Sequence, residues 1–409
     1  MRQSSPRSAW QRMAMGYGSY YSLLGLLQPY LPPTLFAQGL SPARVGLLLS
    51  ACALATTVAP IAVARASAKY RWRAFHVARA CAAAACLFAG ALWTLRAAPS
   101  TTYVIALFLF TAAWAPLAAL YDTLAVRVSR VSDTSFGGLR LIGSVGYMAA
   151  SSLAGAWVAP APVPRFLGTL GVLAAVLWLS TFALPRIAEP PPPRRQAAGF
   201  WSQFTPAWWL WLTAMALHWF TFGPYQYGLS LLIRAQGVPA RATGMVWSVG
   251  VLSELLFFLA SGKLITRFGP RRVLAVALAA TGARWVLVGA WPSPWMIVAT
   301  QLLHGPGFAL FYASAMQAIA DFSGRRNQMA YQGLFTGVVT GAATTLGIAF
   351  AGWLHTWHTL EHVFLAAAPV ELAALGVLFY AGAPTPVPPP PRETAPLGLL
   401  LPEDSNATS

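Results

Sequence analysis

The chain has 409 residues, 57% of them hydrophobic and only 9% charged, with 27 Lys and Arg against 10 Asp and Glu. A mean hydropathy of +0.58 over that length excludes an ordinary soluble globular domain. The net charge of +17 would suggest nucleic acid in a soluble protein, but its distribution along the chain excludes that reading.

Apolar runs of about 20 residues, each long enough to cross a bilayer core, recur from end to end. Twelve are predicted: 14–37, 43–64, 74–96, 101–128, 137–160, 165–185, 207–233, 241–265, 272–291, 295–320, 329–354 and 360–383. With no water to satisfy backbone groups these runs are helices, and no period-two alternation supports a β-barrel. Arg2, Arg7 and Arg12 precede the first run; its length and the span that follows predict an uncleaved first helix.

The basic residues fall in alternate connections. Arg65, Lys69, Arg71 and Arg73 lie between the second and third spans, Lys263, Arg267, Arg271 and Arg272 between the eighth and ninth. Arg130, Arg186, Arg194, Arg195, Arg325 and Arg326 fill the other even-to-odd connections. The intervening loops carry only Arg44, Arg96, Arg165, Arg234 and Arg241. The positive-inside rule then puts both termini in the cytoplasm. Only Lys69 and Lys263 are lysines, and alanine is abundant. Such a bias fits a GC-rich bacterial genome, and so a multi-pass protein of the cell (inner) membrane.

Four prolines, Pro190 to Pro193, followed by Arg194 and Arg195, predict a stiff basic linker. The expected organisation is a six-helix half over 1–189, a cytoplasmic linker over 190–206, a second six-helix half over 207–383, and a disordered cytoplasmic tail over 384–409. The halves echo each other: Gln38-Gly39 with Gly46 returns 198 residues later as Gln236-Gly237 with Gly244, and Asp122 returns as Asp321. Repeats related along the membrane normal, with a site between them, are a transporter plan. Cys52, Cys81 and Cys86 form no CxxC pair and read as buried packing residues.

Ionisable groups inside spans mark substrate or ion paths. Asp122 and Arg140 lie nine residues either side of Val131, so an antiparallel hairpin brings them to one depth. Glu254 and Arg284 flank Gly269 by fifteen residues, and Arg284 and His304 flank Pro294 by ten. At a helical rise of about 1.5 Å per residue the last three share one level near the bilayer centre. Two acid–arginine pairs are expected, Asp122 with Arg140 and Glu254 with Arg284; a purely structural bracing role is the alternative for each. His218 and Glu371 are weaker candidates, and His218 reads first as a hydrogen-bonded packing residue. His355, His358 and His362, beside Glu361, form an outer-loop cluster that reads as polar loop, and no metal site is expected. Tyr225, Tyr227 and Trp247 either anchor at the interface or line a site for a ring-bearing substrate. The doubled GxxxG of Gly333, Gly337 and Gly341 predicts close helix packing.

Several segments carry a family resemblance. These are Pro116-Leu-Ala-Ala-Leu-Tyr-Asp122, Gly138-Leu-Arg140-Leu-Ile-Gly-Ser-Val-Gly146, Trp247-Ser-Val-Gly-Val-Leu-Ser-Glu254, Arg284-Trp285 and Leu302-Leu-His304-Gly305. Over residues 14–383 the chain resembles the major facilitator superfamily, and within it the phenylpropionic-acid porters, relatives of the sugar–proton symporters. The resemblance implies an all-α membrane protein of twelve helices in two halves, working by alternating access. It implies that Asp122 and Arg140 contact substrate. Glu254, Arg284 and His304 would carry or tune a proton. The loop Arg65-Ala-Ser-Ala-Lys69-Tyr-Arg71 departs from the superfamily's pattern in lacking an acid.

The expected function is proton-coupled uptake of a small organic solute, an aromatic or other carboxylic acid favoured. Export of a drug or metabolite by the same fold, and a non-transporting membrane sensor, are the alternatives. No cofactor is expected beyond the proton gradient, and the partners are a small-molecule substrate, the proton and the lipid bilayer, with no nucleic acid. A monomer is expected. No G-x-S-x-G, H-E-x-x-H or complete P-loop is present, so an enzyme is not expected.

Overall fold

The computed structural model describes residues 6–97, 99–132, 136–185, 201 and 204–382. The helices are α1 (Pro6–Ala37), α2 (Pro42–Tyr70), α3 (Ala74–Thr94), α4 (Thr101–Trp114), α5 (Pro116–Ser132), α6 (Phe136–Val158) and α7 (Pro162–Ser180) in the first half. The second half holds α8 (Pro206–Ala235), α9 (Thr243–Phe268), α10 (Pro270–Ala290), α11 (Pro294–Thr300), α12 (Phe311–Phe335), α13 (Thr344–Leu354) and α14 (Leu360–Ala381). They build twelve membrane-crossing spans in two sets of six, α4 and α5 forming one broken span at Pro116. Most of the linker 190–206 and all of the tail 384–409 lie outside the described residues.

Local chemistry sets the ends. Pro42, Pro162, Pro206, Pro270 and Pro294 open their helices where a missing N–H costs nothing. The hydroxyls of Ser100, Thr205 and Ser293 cap α4, α8 and α11 by accepting from Tyr103, Trp208 and Met296 N–H. Gly39 (φ 83°) and Gly237 (φ 73°) end α1 and α8 in the left-handed region. The repeated Gln-Gly pair is therefore the same helix stop used twice.

The repeat extends to packing. A Cβ at Gly25 of α1 would collide with the Tyr147 carbonyl of α6. One at Gly223 of α8, 198 residues on, would collide with the Gly347 backbone of α13. Both halves thus use a glycine to press their first helix onto their fifth.

Ten helical spans are long and apolar enough to cross a membrane by composition. The other two, α1 and α8, have 32 and 30 residues but carry more polar side chains. They are the first helix of each half and pack on each other. On them Tyr17, Tyr20, Tyr30, His218 and Tyr225 are buried, while Leu153, Leu259, Leu372 and Tyr380 elsewhere are largely exposed, as a lipid-facing belt requires.

The halves meet α2 to α13 and α6 to α9. A Cβ at Gly46 would stand 2.6 Å from Gly352 Cα, and one at Gly244 would overlap the Ser151 carbonyl. The Ser152 and Ser248 hydroxyls are 3.2 Å apart, and the Tyr227 hydroxyl donates to Pro42 O at 3.4 Å. All these contacts lie at the end that carries the loops after α1 and α8, so that end is sealed.

Two expectations change. Helical backbone runs from Phe311 to Phe335, through the stretch expected to turn between the tenth and eleventh spans; no proline falls between Pro306 and Pro369 to interrupt it. In the doubled GxxxG, an added Cβ at Gly333 or Gly337 would meet nothing within 4 Å, and only Gly341 is in close contact, with Thr57.

Candidate functional site

Between the halves lie two adjoining cavities, of about 260 and 370 Å3, which share Leu24, Gln28, Trp219 and Gln226 as lining. The smaller is walled by Tyr21, Tyr147, Phe222, Tyr225, Trp247 and Phe308 and carries Arg140, Glu254 and His304. The first and second halves thus each supply charged groups to one aromatic chamber.

On the first-half side, Arg140 of α6 is 44% exposed and Asp122 of α5 is 47% exposed, with Nη1 and Oδ1 3.9 Å apart. Arg140 Nη1 also donates to the Tyr21 hydroxyl at 2.9 Å. The Tyr17 hydroxyl donates to Asp122 Oδ1. Tyr17 and Tyr21 are one turn apart on α1 and their rings stack, so α1 grips the acid and the arginine with adjacent phenols. Arg140 is half-exposed and lines the cavity, so its five-donor fork is accessible from that space.

On the second-half side the pairing differs from expectation. Glu254 does not meet Arg284 directly among the described contacts; His304 stands between them. His304 Nε2 is 2.6 Å from Glu254 Oε1, and Nδ1 is 2.9 Å from Arg284 Nη1. Arginine has no acceptor, so Nδ1 accepts and the hydrogen sits on Nε2, donated to the carboxylate. Arg284 therefore fixes the tautomer of the histidine that touches Glu254. Arg284 itself is 1% exposed. Its other nitrogen donates to Gln301 Oε1 at 2.9 Å, and its guanidinium lies 4.5 Å from the Tyr225 ring centroid and 4.9 Å from that of Trp285.

Local packing explains why these groups converge. Gly250, Ser253 and Glu254 share one face of α9 at helical spacing. A Cβ at Gly305 would strike Ser253, whose hydroxyl donates to Leu302 O at 2.7 Å. That close crossing sets Glu254 beside His304. Residues Pro306–Leu310 then adopt a π-turn, a wider winding often found where function needs a local adjustment.

Tyr225 and Trp247 both line the chamber, with ring centroids 4.8 Å apart. Trp247 Nε1 donates to Ser230 Oγ at 2.9 Å, which holds its ring against the cavity. Tyr227 lies instead at the sealed end, 2.8 Å from His355 Nδ1. The His358 and His362 rings take no part in that contact and lie tilted to each other, centroids 5.6 Å apart.

His218 and Glu371, expected separately, form a pair with both side chains 0% exposed. His218 Nε2 lies 3.1 Å from the Gly307 carbonyl in the π-turn, so it carries a hydrogen. Nδ1 is 3.0 Å from Glu371 Oε2, so one further hydrogen is held between them. Thr221 donates to Glu371 Oε1 and accepts from Trp285 Nε1 at 3.0 Å. Removing one partner of such a buried pair costs about 3–5 kcal/mol. Glu371→Leu is expected to lower the thermal unfolding temperature in detergent sharply, Glu371→Gln much less. Equal, small shifts in both variants would mean the pair does not brace α8 against α14.

A sequence model of the MFS_1 like family matches residues 10–366. The chain belongs to that family. It is 30% identical over 374 residues to the "Probable 3-phenylpropionic acid transporter" of Escherichia coli, covering 89% of this chain and 95% of that one. It is 26% identical over 258 residues to the maltose permease of Geobacillus stearothermophilus, covering 62% and 64%. Among solved structures, the nucleoside transporter NupG superposes with a TM-score of 0.76 at 18% identity, over 91% of this chain and 98% of that one. The MFS_1 like chain is thus a multi-pass membrane transporter of major facilitator fold, and not an enzyme. The family places no acid–arginine contact by itself; the geometry above does.

Proposed function

We propose that the protein is a monomeric, proton-coupled uptake transporter for aromatic carboxylic acids in the cell (inner) membrane, with both termini cytoplasmic. One observation carries the reading. Arg140 presents its fork to an aromatic chamber, whereas Arg284 is covered by Tyr225, Trp285, His304 and Gln301. Arg140 is therefore the cation a carboxylate can reach, and a planar guanidinium suits that carboxylate in two-point contact. The E. coli relative's printed substrate, 3-phenylpropionic acid, has this chemistry.

Charge balance supports coupling to a proton. Asp122 offsets Arg140, and Glu254 offsets Arg284 through neutral His304. A bound carboxylate adds one negative charge to a chamber walled by low-dielectric rings. Protonation of Glu254 restores neutrality before the halves close over the substrate. With cytoplasmic termini, the sealed end faces outward and the chamber is in its inward-facing arrangement.

The test uses purified protein and 3-phenylpropanoate, with the uncharged 3-phenylpropanamide as control. Arg140→Lys keeps a charge opposite Asp122 but loses the fork. It is expected to weaken acid binding about tenfold or more, equivalent to about 1.4 kcal/mol, without moving the weak binding of the amide. Asp122→Asn should be milder. Undiminished acid binding in Arg140→Lys, or equal binding of acid and amide to the native protein, would reject the carboxylate anchor.

A further inference from the structure

Gln28 of α1 and Gln226 of α8 line both cavities and mark their junction. They are 198 residues apart, the spacing that relates Gly25 to Gly223 and Gly39 to Gly237. The fold therefore presents one amide from each half at equivalent places on the first helix. Each side chain is half-buried, and among the described residues neither amide has a hydrogen-bond partner.

The surroundings make that notable. Among the described residues, no Asp, Glu, Lys, Arg or His lines the larger cavity. Its threonines have already spent their hydrogens: Thr56, Thr111, Thr340 and Thr344 each donate to a carbonyl of their own helix at 2.7–3.0 Å. The rest of the wall is mainly Leu24, Leu27, Leu31, Leu49, Trp114 and Ile348. Two free primary amides in such a wall are costly unless a ligand or water meets them. A primary amide offers two donors and a carbonyl acceptor side by side. It matches a group that both donates and accepts while carrying no charge.

We infer that Gln28 and Gln226 recognise a neutral hydrogen-bonding group of the substrate, a hydroxyl or carboxamide, at the end opposite its carboxylate. The inference rests on the carboxylate reading above. The substrate lies with its acid at Arg140, its ring along Trp219 and Phe222, and its polar substituent at the cavity junction. Ring-hydroxylated aryl acids are then the preferred class over bare ones. Because the amides come from opposite halves, one hydroxyl bridging them also draws the halves together, which favours the closed, occupied state.

The experiment measures equilibrium binding of 3-phenylpropanoate and its ring-hydroxylated analogues to the full-length protein in detergent. The native protein is expected to prefer one hydroxylated acid by about tenfold or more, since a site built for a hydroxyl rejects the analogue that lacks it. In the Gln28→Met, Gln226→Met double variant that preference should vanish, the ratio of the two affinities falling to about one. Retained bare-acid binding shows that the variant folds. Should it fail to fold, the single variants Gln28→Asn and Gln226→Asn, which withdraw the amide by one carbon, should each reduce the preference. Equal binding of both acids by the native protein, or a preference that survives in the variants, overturns the inference while leaving the carboxylate reading intact. Binding of neither acid by the native protein overturns both.

Discussion

Glu254→Gln is expected to abolish accumulation of substrate against its gradient while leaving exchange of labelled for unlabelled substrate across the membrane. The reason is in the hydrogen bonds. The glutamine amide oxygen still accepts from His304 Nε2, at a site where the native contact is 2.6 Å, so the arrangement of α9 against the π-turn survives. What is lost is the group that can take up and release a proton. Arg284 keeps the other face of His304 occupied at 2.9 Å and cannot accept a hydrogen, so the histidine cannot become doubly protonated without giving up that contact. The proton needed to offset a substrate carboxylate then has no place to sit. Proteoliposomes with an imposed pH gradient would show uptake that only equilibrates. Undiminished uphill accumulation by the variant would move coupling away from Glu254, with Asp321 the next acid to test.

The second large effect concerns the seal. Gly46 meets Gly352 Cα with an added Cβ at 2.6 Å, and Gly244 meets the Ser151 carbonyl. The opposing atoms are backbone, so no side-chain rotation relieves the overlap. Each overpacked site costs about 1–3 kcal/mol. Gly46→Val with Gly244→Val should therefore shift the sealed-to-open ratio by about 30-fold or more. In a background with Cys52, Cys81 and Cys86 replaced by Ser, a Ser248→Cys reporter should change from unreactive to reactive toward a membrane-impermeant thiol reagent added outside intact cells. Active transport should fall to background while binding in detergent persists, because the chamber residues are untouched. An unreactive reporter with normal transport would place the seal elsewhere. A reporter that reacts only from the cytoplasmic side would reverse the proposed orientation.

The amino-acid sequence alone determined the spans, since a run of about 20 apolar residues with its backbone unsatisfied by water has one stable form. Proline starts and glycine stops were equally legible, because φ and the missing N–H act locally. Asp122 opposite Arg140 followed from counting residues along an antiparallel hairpin, and the two stand 3.9 Å apart. Counting also put Glu254, Arg284 and His304 at one depth. Depth does not say which neighbour a side chain turns toward, so it could not show that His304 separates the acid from the arginine. That is decided by rotation about each helix axis, set here by Gly250, Ser253 and Gly305 at the α9 crossing.

The same limit hid the His218–Glu371 pair, whose members are 153 residues apart, and the free amides of Gln28 and Gln226. Lipid chains and side chains are similarly apolar, so lateral arrangement depends on small residues, shape and a few polar contacts rather than on hydropathy. The polarity of α1 and α8 was visible in the sequence. Only the packing of the two helices against each other at the centre turned it into the wall of the aromatic chamber.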